Sequence, residues 1–169
     1  VLLMYCLSIE QINQISPYKV EAASDGNSLI FQTQYGLTYE VGFVEDYTFF
    51  DENAYQFFIV EKNGKRFMKD SLVRATVWAI VETFFQENCN VLLYVCDTSD
   101  GKQAIRDRLF EIWFYEYEKQ QEYVHLAAKV ESDAVYYFAS VILRATHPQL
   151  DEIRNAFELF TEEMKDKLA

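Results

Sequence analysis

A chain of 169 residues that is 50% hydrophobic, with only 5 Gly and 2 Pro, can bury roughly 70% of the surface its unfolded form exposes. Disorder away from the ends is therefore excluded, and so is any need for disulfide or metal staples. Twenty-seven Asp+Glu against 15 Lys+Arg leave a formal charge of −12, whose field repels phosphate backbones and anionic bilayers. Nucleic acid and membranes are excluded as partners on this ground, while a basic protein would be attracted.

Cys6, Cys89 and Cys96 are odd in number and lie in apolar stretches, which predicts free buried thiols in a reducing, cytoplasmic compartment. The apolar opening Val1 to Leu7 lacks a basic leader and is far short of the ~20 residues of a membrane span, so it reads as neither signal peptide nor anchor. No repeat, linker or low-complexity tract interrupts the chain. One continuous domain over 1–169 is expected, with an N-terminal segment over 1–16 and an amphipathic helix over 148–168.

In chain order, Ser8 to Ser16 suits a short helix stopped by Pro17, and Tyr18 to Ala23 a first strand. Leu29, Phe31 and Thr33 share one strand face, Tyr35-Gly36 turns the chain, and Leu37, Tyr39, Val41 and Phe43 alternate with Thr38, Glu40 and Gly42 as the return strand. Asp51-Glu52-Asn53 breaks the chain before a strand over Ala54 to Glu61, which is apolar on both faces and so expected in the sheet interior. After the Asn63-Gly64 turn, Asp70 or Ser71 can cap a helix striped by Val73, Val77, Ile80, Val81 and Phe84, running to Asn88. Val91 to Cys96 has no alternation, the pattern of a strand covered on both faces. It completes a strand, helix, strand unit with a parallel, right-handed crossover.

A second helix is striped by Ile105, Leu109, Ile112 and Trp113 as far as Glu118. Val124 to Val130 and Val135 to Ala145 form a hairpin around Ser132-Asp133, and Thr146 with Gln149 resembles a capping box ahead of Leu150, Ile153, Phe157, Phe160 and Met164. The fold class is α+β: a single mixed, mostly antiparallel sheet with helices packed on it, in the order (β)ββ-β-α-β-α-ββ-α.

Two constellations could carry chemistry. Asp97, Ser99 and Asp100, with Lys102, Arg106 and Arg108, follow a strand's carboxyl end, where ligands gather in sheets with parallel strands. Asp97 and Asp100 could act as base or metal ligands, but capping the next helix is the preferred reading, and Asp-x-x-Asp alone is weak for magnesium. The turn Lys62-Asn63-Gly64-Lys65-Arg66, extended by Lys69 and Arg74, is the one basic concentration and precedes a helix, as a phosphate-binding loop would: Gly64, Lys65, Arg66 and Lys69 are its candidate ligands. A solvated turn with lysines guarding a strand edge is the competing and preferred reading. His125 and His147 read as structural, with no nucleophile tied to either by spacing, and no zinc spacing or nucleotide-binding glycine motif occurs. Tyr47, Phe49, Phe50, Tyr115, Tyr117, Tyr136 and Tyr137 read as core or protein interface.

The stretches VLLYVCDTSDGKQAIRDRLFEIWF (Val91 to Phe114) and FQTQYGLTYEVGF resemble an uncharacterised family of small bacterial proteins over most of the chain, a resemblance that carries no known activity. By topology alone the element order also resembles the acetyl-CoA-dependent N-acetyltransferase fold, which implies coenzyme A or acetyl-CoA at the loop Asn63 to Ser71. That loop has Gly64 but not the fold's spaced glycines, and Phe110 stands where such enzymes often carry a Tyr acid, so the resemblance implies absent or altered activity. The leading expectation is a non-catalytic binding or protein-interaction domain, homo-oligomeric or with a protein partner and with no cofactor. The alternative is an acyl-CoA-binding protein, and a weaker idea is an acidic inhibitor mimicking phosphate charge.

Overall fold

The structure is a computed structural model that describes residues 7–65, 69–86, 89–97, 116, 120–131 and 136–168. Among the described residues there are three helices, α1 (Ile9–Ile15), α2 (Ser71–Phe84) and α3 (Leu150–Leu168). The seven strands are β1 (Val20–Ala22), β2 (Leu29–Gln32), β3 (Thr38–Glu45), β4 (Ala54–Glu61), β5 (Val91–Asp97), β6 (Tyr123–Glu131) and β7 (Tyr136–Arg144). They form one mixed sheet in the order β1-β2-β3-β4-β5-β7-β6, an α+β fold in the expected element order. The helix expected over Ile105 to Glu118 lies outside the described residues, apart from a helical Glu116. No described helix is long and apolar enough to cross a membrane. Packing divides the chain into two compact units, one of Val1–Glu45 with Phe57–Glu87 and one of Asp46–Gln56 with Asn88–Ala169.

In the first unit, Ser8 caps α1 by accepting the Gln11 N–H, and the chain leaves the helix at Ser16 before Pro17. Gly36 takes φ +76°, the left-handed backbone that the β2 to β3 turn demands, and Thr33 and Leu37 close the hairpin through a 2.8 Å main-chain bond. Leu29, Phe31, Tyr39, Val41, Phe43 and Phe57 are buried on one side of these strands. Phe43 stacks on Phe84 of α2 with centroids 4.4 Å apart and planes at 3°, and Phe31 stacks on Tyr39 at 5.4 Å. Such pairs add about 0.5–1.5 kcal/mol each beyond area burial. α2 ends at Phe84 rather than at Asn88, because Phe85 turns out of the helix at ψ 2° to bury its ring edge-on to Phe84.

The opposite side of β2 to β4 is less covered. Lys62 N–H bonds the Thr38 carbonyl at 2.8 Å, an antiparallel register that sets Val60 beside Glu40 and Phe58 beside Gly42. The Phe58 ring lies directly on Gly42, where a Cβ would collide with it. Val44 and Val60 are 54% and 48% exposed, so β4 is interior to the sheet order without being covered on both faces.

In the second unit, Ala54, Tyr55 and Gln56 pair in parallel with Val91, Leu92 and Leu93, as the uninterrupted apolar run predicts, and β7 flanks β5 antiparallel on its other side. Ala54, Val91, Leu93, Ala139, Val141 and Leu143 make a buried surface on which Ile153 and Phe157 of α3 sit. Phe49 joins edge-on to Phe157 at 6.3 Å, whereas Tyr47 stays 46% exposed. Cys89 is exposed, which corrects the expectation of a buried thiol: the chain turns there to start β5, and only its carbonyl is used internally.

The entry to α3 is fastened by a histidine. The buried His147 ring accepts the Gln149 N–H on Nδ1 at 2.9 Å. That leaves Nε2–H to donate to the Cys89 carbonyl at 3.0 Å, so His147 is a neutral structural clamp between two main-chain segments. His147→Ala should therefore cost about 1–3 kcal/mol of unfolding free energy in chemical denaturation, with His147→Asn recovering part of it through the helix-end bond alone.

Candidate functional site

The described part of the basic turn lies wholly in the first unit. Gly64 adopts φ +68°, so the turn has the backbone shape that presents successive N–H groups inward. Two of its N–H groups are engaged. Glu61 reaches forward and accepts Asn63 N–H on Oε1 and Lys65 N–H on Oε2, both at 2.8 Å.

The amino end of α2 is engaged in the same way. Asp70 is its N-cap: Oδ1 accepts Leu72 N–H at 2.9 Å, and Oδ2 accepts the Tyr18 hydroxyl at 2.6 Å. Tyr18 is anchored in turn by its own N–H on Thr76 Oγ1 at 3.3 Å. Burial, and then donation to Asp70, raises the Tyr18 phenol above its ordinary value. Tyr39 is pushed up to about 12 by burial, reinforced by the charges of Glu61 and Asp70. Both phenols keep their protons, which suits neither to act as base or nucleophile, and Tyr18 serves as a donor.

Of the predicted ligands, Gly64, Lys65 and Lys69 are exposed, and Arg66 lies outside the described residues. Lys62 is bound to Glu40 at 2.7 Å, and Glu40 also accepts the Ser28 hydroxyl at 2.5 Å. The Glu40 carboxyl is held below its usual range by the Lys62 hydrogen bond first and by Ser28 second, while Lys62 is raised by the same partner. Sequence reasoning missed Glu61 as the occupant of the turn. The available signal was an acid two residues before Asn63-Gly64.

The second constellation is described only at its start. Asp97 ends β5 with its backbone paired to Tyr137, and Ser99, Asp100, Arg106 and Phe110 lie outside the described residues. Among the described residues no three His, Cys, Asp or Glu side chains come together as a metal site. Burial lowers His125 below its ordinary value, which favours the neutral ring.

Two outcomes follow. In a double-mutant cycle of Tyr18→Phe and Asp70→Ala, the coupling should be about 1 kcal/mol, with Asp70→Ala alone costing about 0.5–2 kcal/mol through the lost cap. Because Glu40 is lowered in the folded state, its contribution is fully present above the unfolded carboxyl value of about 4.3 and is lost as pH falls through the lower folded value. Glu40→Gln should flatten that part of an acid-unfolding curve.

No curated protein and no solved structure matches the chain. The match is to a family model, described as a family of unknown function (DUF6169), and it runs over residues 69–159. The matched span takes in α2, β5, β6, β7 and the first half of α3, and it is more than half of the sequence: the chain belongs to this family of unknown function.

Proposed function

We propose that the protein is a non-catalytic domain that binds a protein partner through the open face of β2 to β4. The observation that carries this reading is a contrast within one unit. Three main-chain donors that an anionic ligand could use, Asn63 and Lys65 N–H in the basic turn and Leu72 N–H at the α2 entry, already have acceptors in Glu61 and Asp70. Meanwhile Val44 and Val60 stand in solvent beside Phe58, which is only half-covered. Apolar side chains grouped on a strand face and bordered by charged residues such as the Glu40–Lys62 pair have the make-up of a docking surface. The formal charge of −12 favours a basic partner or rim, and a cytoplasmic setting fits the odd cysteine count and the exposed Cys89.

Val44→Glu with Val60→Glu tests the reading, since both positions are surface sites where a charge leaves the fold intact. Size-exclusion chromatography with light scattering, together with capture from source lysate, should show a complex formed by the native chain and weakened at least tenfold in the variant. A native chain that stays monomeric and captures nothing sensitive to these substitutions overturns the proposal. Calorimetry separates the acyl-CoA alternative: coenzyme A at millimolar concentration should give no saturable heat. Saturable heat that is lost in Lys65→Ala with Arg66→Ala would put coenzyme binding in its place.

A further inference from the structure

β1 ends the sheet order among the described residues, with β2 on one side. Ala23 N–H donates to the Ser28 carbonyl at 2.8 Å, which sets the alternation along the strand. Glu21 bonds toward β2, whereas Val20 and Ala22, opposite Phe31 and Leu29, direct their N–H and C=O groups away from it.

At Val20 those outward groups meet a side-chain amide. Val20 N–H donates to Asn13 Oδ1 at 2.7 Å, and Asn13 Nδ2 donates to the Val20 carbonyl at 2.9 Å. One primary amide thus supplies the donor and the acceptor that the peptide of an adjoining strand would supply. Asn13 is held in position because α1 is fixed at both ends: Ser8 caps it, the Ser16 hydroxyl bonds the Tyr18 carbonyl at 2.6 Å, and Ile12 is fully buried where α1 packs on α2.

We infer that α1 is an edge guard, and that the Asn13 amide fills the position at which β1 would otherwise add β1 of a second copy of this chain. The occupant follows from self-complementarity. Antiparallel pairing centred on Glu21 sets Val20 opposite Ala22 of the second copy and Ala22 opposite its Val20, so every outward N–H and C=O of these residues finds a partner. Exposed strand edges invite such addition, and folded proteins block them with short strands, charges or a covering element. β1 is short, and in that dimer Glu21 would face its own counterpart, a like-charge opposition that works in the same direction as Asn13.

Asn13→Leu keeps a good helix former in α1 and removes both bonds. Its weight-average mass, measured by light scattering, should rise with concentration toward twice the native value. Adding Ala22→Pro should return it to the native value, because proline deletes the outward N–H without needing a bond on the β2 side. A folded Asn13→Leu chain with the native mass at every concentration overturns the inference, and so does a raised mass that survives Ala22→Pro. If Asn13→Leu loses its circular dichroism, Asn13→Ser replaces it with the same two readings. Val44→Glu with Val60→Glu should leave this response unchanged, which keeps the edge distinct from the open face.

Discussion

The parallel pairing of Ala54 to Gln56 with Val91 to Leu93 is the constraint from which the topology follows. Two parallel neighbours cannot be joined by a tight turn, so the chain must travel back the length of the strand before it can pair. α2 provides that return. β5 is then hydrogen-bonded on both sides, to β4 and β7, and Val91, Leu92 and Leu93 are buried whichever way they point. A strand in that position has no use for polar alternation, which is why Val-Leu-Leu-Tyr-Val-Cys has none.

Charge is handled locally in this acidic chain. Glu61 folds into its own turn, Asp70 into the start of its own helix, and Glu40 onto Lys62 and Ser28. Each carboxylate is thereby given donors at short range, and two main-chain donors of the basic stretch, Asn63 N–H and Lys65 N–H, find their acceptor within the chain. Among the described residues of the first unit, Val44 and Val60 are large apolar side chains left in solvent.

Much of the fold was legible because its signals are local. Gly36 and Gly64 mark turns that need left-handed backbone, Ser8 and Asp70 mark helix starts, and the spacing of Val73, Val77, Ile80 and Phe84 marks a buried stripe. What escaped depends on side chains that reach back or across. His147 fastens the entry to α3 because a ring with an acceptor on one side and a donor on the other can join two segments at once, and nothing in the sequence announces its distant partner at residue 89. Glu61 looks like any strand-end acid until the turn brings two N–H groups to it, and Asn13 like any helix-surface amide until Val20 is placed beside it. Val60 stands in solvent although its strand is interior to the sheet order, because a hydrophobic residue there is covered only if another layer lies over that face.

The seating of Phe58 on Gly42 ties two positions together by volume. A side chain at 42 would force the ring to shift, and a smaller residue at 58 would uncover the Gly42 backbone, so the two positions are coupled. Enlarging residue 42 while shrinking residue 58 would keep the volume constant and move the apolar protrusion of that surface from one strand to its neighbour.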